Sequence, residues 1–277
     1  MDRFFLGVDV GTGSARAGLF DASGRMLSSA SNKIRRWHPH PHHAEQSSRD
    51  IWDAVCKSVR AAVETTEIDP GSILGIGFDA TCSLVVLDTD FAPLAVNADG
   101  ENDRNIISWM DHRATDQAER VNASGAGVLD YVGGRISPEM QTPKLLWLSE
   151  HVPDTFARAG HFLDLTDFLT WRATGSLCRS ICTVTCKWTY LAHERRWDDS
   201  YFHDIGLGSL ADEGFVRIGT EMRQPGSALP GGLTNQAAVE LGLHPATAVA
   251  TGLIDAHAGA IGTIGADGLQ DRLDARL

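Results

Sequence analysis

No apolar stretch in this sequence approaches the length of a bilayer-spanning helix, and the opening run Phe4 to Val8 is interrupted by Asp9 too soon for a signal peptide. Basic clusters are missing as well. Lys and Arg number 24 against 36 Asp and Glu, a formal net charge of −12, so nucleic-acid and membrane-surface roles are disfavoured. Cysteine is scarce and odd in number, five in 277 residues. That excludes a disulfide framework and makes a reducing cytoplasm the expected compartment. Cys178, Cys182 and Cys186 recur at a helix-like spacing of four, but a metal site needs a fourth ligand and usually a tighter pair, and ordinary thiols are favoured. No repeat of solenoid period occurs. What the chain does have is 43% hydrophobic residues, ample for a large buried core.

Phe4 to Val10, Ala15 to Phe20 and Arg25 to Ser29 read as short strands, the last two joined by the hairpin turn Asp21-Ala22-Ser23-Gly24. His38 to His43 alternates imidazoles with prolines and reads as a solvated loop, since no regular element fixes a ligand geometry. From Ser48 on, Ile51, Trp52, Val55, Val59, Ala62 and Val63 recur at helical spacing, with Ser47 or Ser48 as the cap. Strands are expected at Ile73 to Phe78, Leu84 to Leu87 and Asn105 to Trp109. Helices are expected from Thr142-Pro143, with Thr142 as cap, and over Leu165 to Thr174 with Gly175 as the stop. Trp188 to Gly232 shows no clear period. Thereafter Thr234 to Leu241 reads as helix, Ala248 to Gly252 as strand and Ala256 to Ile264 as a helix of small residues. Alternation of this kind predicts an α/β fold around a central sheet.

Two segments carry chemistry. In Asp9-Val10-Gly11-Thr12-Gly13-Ser14-Ala15-Arg16 a glycine turn follows a buried strand. The Gly-Lys-Ser/Thr ending of a P-loop is absent, and the dinucleotide fingerprint would need a third Gly at Arg16 and a helix in place of the hairpin. A strand–turn–strand phosphate loop remains, with backbone N–H groups at Gly11 and Gly13, hydroxyls at Thr12 and Ser14, and Asp9 facing a phosphate-bound cation. An ordinary tight hairpin is an equal alternative for these residues alone. In the second segment, Thr251 to Gly262, Asp255 ends a strand ahead of a run of Ala and Gly. Such a carboxylate takes a proton from an attacking hydroxyl, caps the following helix, or does both.

Together these segments resemble the FGGY carbohydrate kinases. Trp109-Met110-Asp111-His112-Arg113 resembles the family's W-x-D-x-R segment, and Glu45-Gln46 with Trp52 its E-Q...W stretch. Gly77 to Val85, with Asp79, Ala80 and Thr81, is similar to ribulokinases, and Thr81 to Val85 most of all to those acting on D-ribulose. Cys186-Lys187-Trp188 resembles the position where a ribulokinase Lys reaches a sugar hydroxyl, although a solvated surface lysine is an equal alternative for Lys187. Trp109 also reads as core, whereas Asp111 and Arg113 are hard to bury without partner or ligand.

The resemblance implies an α/β lobe of the ribonuclease H-like, actin-like ATPase type, with a mixed central sheet flanked by helices. It implies transfer of the ATP γ-phosphate to a ketopentose, D-ribulose above all, with L-ribulose, xylulose or ribitol as alternatives. Asp255 is the implied catalytic base. Asp9, Gly11, Thr12, Gly13, Ser14 and Arg16 would hold ATP, Asp9 would serve Mg²⁺, and Asp79, Ala80, Thr81, Trp109, Asp111, Arg113, Lys187 and Asp255 would meet the sugar. Residues 1–265 would form the sugar-binding domain, and 266–277 a truncated linker toward a missing C-terminal lobe, which makes the chain a fragment expected to be inactive alone. A homodimer stays open. Rival readings are an actin-like or chaperone-like ATPase, which has no use for a polar sugar pocket, and a non-catalytic sugar-binding fragment.

Overall fold

Three alternating apolar runs with short polar turns open the chain, and they fold as an antiparallel meander in the computed structural model, which describes residues 3–264. The strands are β1 (Phe4–Val10), β2 (Ser14–Asp21) and β3 (Met26–Lys33). A short β4 (Glu45–Gln46) leads into α1 (Ser48–Glu64), capped by the Ser47 side chain accepting from the Asp50 N–H. Then come β5 (Ile73–Ala80), β6 (Leu84–Asp88), β7 (Ile106–Ile107), α2 (Thr115–Ala123), α3 (Gln141–His151), α4 (Pro153–Arg158), β8 (Ala159–Asp164) and α5 (Leu165–Thr174). The remainder comprises β9 (Arg179–Ser180), α6 (Ile181–Trp188), α7 (Asp199–Asp204), α8 (Gly208–Asp212), β10 (Met222–Arg223), α9 (Asn235–Leu241), β11 (Ala248–Val249), β12 (Leu253–Ile254) and α10 (Asp255–Ile264). The linker expected at 266–277 lies outside the described residues.

The main sheet runs β11-β5-β1-β2-β3, with β12 continuing beside β5. It is mixed: the meander is antiparallel, while β5 is parallel to β1, β11 and β12. Helix α1 buries Ile51, Val55, Val59 and Ala62 in the core beneath the sheet, so its apolar stripe is what holds the parallel crossover from β3 to β5 in place. A second, antiparallel sheet runs β4-β7-β6-β8. Its strands divide their side chains between two cores. Val85, Leu87, Ile106 and Leu163 join the core of the main sheet, while Leu84, Val86, Ile107 and Phe162 join one built with Trp188, Trp197, Tyr201 and Phe202. Period-2 alternation with both faces covered explains why β6 reads as an unbroken apolar run.

Several expectations are corrected. The strand expected over Asn105 to Trp109 is paired only at Ile106–Ile107. Thr142 does not cap α3, whose cap is Met140; its hydroxyl is instead buried in a 3.0 Å hydrogen bond with the Tyr201 hydroxyl. Cys182 and Cys186 share α6, but Cys178 precedes β9, so the three thiols do not lie on one helix. Among the described residues no helix is long and apolar enough to cross a membrane.

Candidate active site

Three carboxylates gather where β1, β5 and β12 end. Asp9 stands opposite Asp79 in the parallel register of β1 and β5, and Asp255 follows β12, whose Leu253 and Ile254 pair with Asp79 and Ala80. Asp9 also pairs across the hairpin with Arg16, whose guanidinium reaches its carboxylate at 2.7 Å. Burial and then the neighbouring Asp9 and Asp255 carboxylates push the Asp79 pKa up to about 7, because removing water and adding like charge both oppose ionisation.

Asp255 is placed by the chain on either side of it. A side chain at Gly252 would put its Cβ 2.3 Å from Thr166 Cγ2 and 2.6 Å from the Phe78 carbonyl oxygen, so only glycine allows this close approach. Ser180 Oγ donates to the Gly252 carbonyl at 2.8 Å, and Thr166 Oγ1 donates to the Leu253 carbonyl at 3.0 Å. The Asp255 carboxylate then accepts the Ala256 N–H at 2.8 Å at the start of α10.

The turn between β1 and β2 is closed by Gly11 N–H to Ser14 carbonyl, 3.0 Å, and its outer groups are tied back. Gln46 donates to the Thr12 carbonyl at 3.2 Å, Ile34 N–H to the Gly13 carbonyl at 3.1 Å, and Trp109 Nε1–H to the Thr12 hydroxyl at 3.0 Å. An added Cβ would meet nothing closer than 3.9 Å at Gly11 and nothing within 4 Å at Gly13. Nothing in the packing of the described residues requires these two glycines. What they keep open is space above the turn.

Two adjoining cavities meet here. One, of about 480 Å³, is lined by Thr12, Thr81, Cys82, Trp109, Glu139, Cys186, Lys187, Asp255 and His257. The other, of about 590 Å³, is lined by Asp9, Gly11, Thr12, Arg16, Asp79 and Asp255. Thr12 and Asp255 stand in both, on the boundary. The structure thus brings together most of the residues singled out in the sequence. Ala80, Gly13 and Ser14 line neither cavity; Ala80 is buried at the end of β5.

Asp111 and Arg113 also line neither cavity. Both side chains are buried, and Arg113 donates to Asp111 and to Glu45 at 2.8 and 2.9 Å and to the Val96 carbonyl at 2.8 Å. Its guanidinium lies 4.9 Å over Trp147, and Asp111 accepts the Ala44 N–H at 2.6 Å. The cluster satisfies its own charges, as buried ions must, and it clasps the segment ending in Gln46 to the one leading from Trp109. Those two segments hold Thr12. Lys144, fully buried, supports the same wall by donating to the Ser108 carbonyl at 3.0 Å, and burial lowers its pKa to about 8. Glu139, Cys82, Cys186 and His257 were not anticipated. Of these, Cys82, Cys186 and His257 sit in segments whose sequence drew attention, beside Thr81, beside Lys187 and two residues past Asp255, and Glu139 does not.

For a magnesium ion the donor set fits. Asp9 and Asp79 offer hard carboxylate oxygens, and the Asp79 carboxyl, its pKa raised by burial and then by the Asp9 and Asp255 charges, would ionise more readily beside a bound cation. Magnesium takes one or two carboxylates and completes its shell with water and phosphate; among the described residues no group of three or more His, Cys, Asp or Glu is placed to hold a metal ion by itself.

A two-part cavity with a glycine turn on one side, polar side chains on the other and a carboxylate between them, set on a mixed sheet with this strand order, defines a lobe of the actin-like ATPase type. The family model for the FGGY family of carbohydrate kinases, N-terminal domain, matches residues 4–262, and the chain belongs to that family. It is 52% identical over 267 residues to a human FGGY carbohydrate kinase domain-containing protein, covering 96% of this chain and 48% of that protein. It is 44% identical over 276 residues to a D-ribulokinase of Saccharomyces cerevisiae, covering 95% and 39%. In fold it resembles a xylulose kinase from Rhodospirillum rubrum, with a TM-score of 0.80 at 22% identity over 94% of this chain and 50% of that one. The chain spans about half the length of the curated relatives it matches, or less.

Proposed function

We propose that this lobe supplies the sugar pocket, the first phosphate loop and the catalytic base of a cytoplasmic, ATP-dependent ketopentose kinase whose substrate is D-ribulose and whose product is D-ribulose 5-phosphate. The observation that carries the reading is the position of Asp255 on the boundary of both cavities. A sugar hydroxyl in the Lys187 cavity would face a phosphoryl group in the Asp9 cavity, with Asp255 beside the hydroxyl. The hydroxyl oxygen attacks the γ-phosphorus, the bond to the ADP oxygen breaks, and Asp255 takes the hydroxyl proton. Gly11 and Thr12 lie against the transferring phosphates, Arg16 adds positive charge, and Asp9 and Asp79 would hold Mg²⁺, which neutralises phosphate charge. Lys187, Thr81, Trp109 and Glu139 bound the sugar, while Asp111 and Arg113 brace the wall behind Trp109. Catalysis is chiefly positioning and charge neutralisation.

D-Ribulose as substrate is supported by the likeness to the yeast D-ribulokinase and by the Thr81 to Val85 segment. The free state of all five cysteines supports a reducing compartment. Measuring kcat/KM for D-ribulose, L-ribulose, xylulose and ribitol, in the protein joined to a second half such as its relatives carry, tests the reading. The expected order puts D-ribulose first, because a site that hydrogen-bonds each hydroxyl rejects an epimer by leaving buried polar groups unpaired. In the same protein Asp255→Asn is expected to lose roughly 10²- to 10⁴-fold in kcat with little change in sugar affinity. A clear preference for xylulose or a polyol, or a full rate in Asp255→Asn, would overturn it.

A further inference from the structure

The residues flanking Asp255 are stitched to α6 on both sides. Ahead of it, the Ser180 hydroxyl accepts the Cys182 N–H at 3.2 Å and donates to the Gly252 carbonyl at 2.8 Å. After it, Cys182 Sγ lies 3.0 Å from His257 Nδ1. The first tie fixes the backbone that leads into the Asp255 carboxylate. The second fixes an imidazole, and burial gives no reason for it: His257 is exposed, on a helix with no buried residue among those described. His257 lines the cavity that also holds Lys187, Thr81 and Trp109. It does not line the Asp9 cavity, to which α10 contributes Ala258 and Gly259 instead. With Nδ1 engaged by Cys182, His257 Nε2 has no hydrogen-bond partner among the described residues.

We propose that His257 is a further specificity-determining residue, whose Nε2 hydrogen-bonds a sugar hydroxyl other than the one that attacks phosphorus, and that Cys182 is the positioning residue that orients its ring. The proposal rests on the sugar-kinase reading of this cavity. A ring held by one nitrogen at the edge of a polar cavity presents the other nitrogen to a ligand in a fixed direction.

Either tautomer of the neutral ring serves. With the Cys182 S–H donating to Nδ1, the ring proton sits on Nε2 and is donated to the hydroxyl oxygen. With Nδ1–H donating to sulfur, Nε2 accepts the hydroxyl proton instead. A hydroxyl can take either part, and a sugar that places only C–H there can take neither, which leaves a polar group of the site unpaired. Helix α6 also carries Lys187 in its last turn, so one helix sets two of the sugar's contacts, one directly and one through Cys182. A neutral hydrogen bond of this kind is worth roughly three- to tenfold in affinity. Asp255 keeps the role of base, since no proton is transferred at His257.

The test is calorimetric titration of the 277-residue chain with D-ribulose, on the parent, His257→Gln, His257→Asn, Cys182→Ala and Lys187→Ala, beside the nitrogen NMR signals of histidine-labelled parent. A glutamine amide reaches as far as imidazole Nε2, and an asparagine amide only as far as Nδ1. Glutamine therefore keeps the cavity contact without the sulfur contact, and asparagine the reverse. His257→Asn is expected to lose roughly three- to tenfold in affinity, His257→Gln to stay within about twofold of the parent, and Cys182→Ala to fall between them. The Nε2 signal of His257 should move on saturation with sugar. Equal losses in His257→Gln and His257→Asn would reduce the ring to a brace for α10. Parent affinity in both, with an unmoved Nε2 signal, would remove it from the site. Either result overturns the proposal while a loss in Lys187→Ala still upholds the sugar reading, and parent affinity in Cys182→Ala would overturn the positioning role of Cys182. A parent that binds no D-ribulose would overturn the sugar reading itself, and this proposal with it.

Discussion

Asp9 and Asp79 face each other across the parallel strands β1 and β5, two carboxylates in register, of which Asp9 also holds the Arg16 guanidinium at 2.7 Å. Burial first, and then the Asp9 and Asp255 charges, push the pKa of Asp79 up to about 7. A raised acid loses stability as pH climbs from its unfolded value near 4 to its folded value near 7. Asp79→Asn is therefore expected to melt about 2–4 °C above the parent at pH 8 without metal, the response to a gain of about 1 kcal/mol. Millimolar Mg²⁺ should stabilise the parent and leave the variant unmoved. Thermal unfolding with and without MgCl₂ checks this; an equal response of both proteins to Mg²⁺ would count against Asp79 as a ligand.

Two glycines separate the needs of folding from those of binding. Gly252→Ala forces a methyl group against Thr166 and the Phe78 carbonyl, and a cost of about 1–3 kcal/mol is expected from overpacking. Gly13→Ala has open space around it, so its stability should change by less than about 1 kcal/mol. In the Gly13 variant the loss should fall on phosphate: the thermal shift produced by Mg²⁺ with tripolyphosphate should shrink. Urea unfolding and the phosphate-induced shift, measured on both variants, distinguish the two roles.

Asp164 sets a pH dependence of its own. Burial, then the Asp167 charge, push its pKa up to about 8, while the Gln141 and Trp188 side chains donate to its carboxylate. The unfolded chain releases this proton near pH 4 and the folded chain near 8, so its contribution to stability declines across that window as pH rises. Asp164→Asn keeps an acceptor and has no charge to bury. The difference in unfolding free energy between variant and parent should grow by on the order of 1–2 kcal/mol between pH 5 and pH 8. Parallel urea titrations at the two pH values measure it, and parallel lines would show that Asp164 is already ionised in the fold.

Local chemistry was legible in the sequence where neighbours decide the outcome. The meander, α1 with its Ser47 cap, and α5 ended by Gly175 at φ +75° all follow from turn residues, periodicity and a left-handed stop. Long-range partners were not legible. Thr142 reads as a cap until Tyr201, 59 residues on, takes its hydroxyl. Asp111 and Arg113 read as ligand contacts because Glu45, 68 residues before Arg113, supplies the missing partner only in three dimensions. Trp188 to Gly232 showed no period because α7 and α8 are short, and Phe202 of α7 and Phe215, just past α8, pack against Trp197 rather than along one helical face. The motif residues Asp9, Thr12, Trp109, Lys187 and Asp255 do converge on the two cavities. Glu139 joined them through the fold alone.

As proposed, the cavity between Thr12 and Lys187 would hold a pentulose, and Asp255 would act on it without being needed for its binding. Calorimetric titration of the chain with D-ribulose tests this most directly, on the parent, Lys187→Ala and Asp255→Asn. Saturable binding is expected in the parent, a loss of tenfold or more in Lys187→Ala from removal of about 1.5 kcal/mol of charge-assisted hydrogen bonding, and near-parent affinity in Asp255→Asn. Absence of binding in the parent, or binding untouched by Lys187→Ala, would contradict the account.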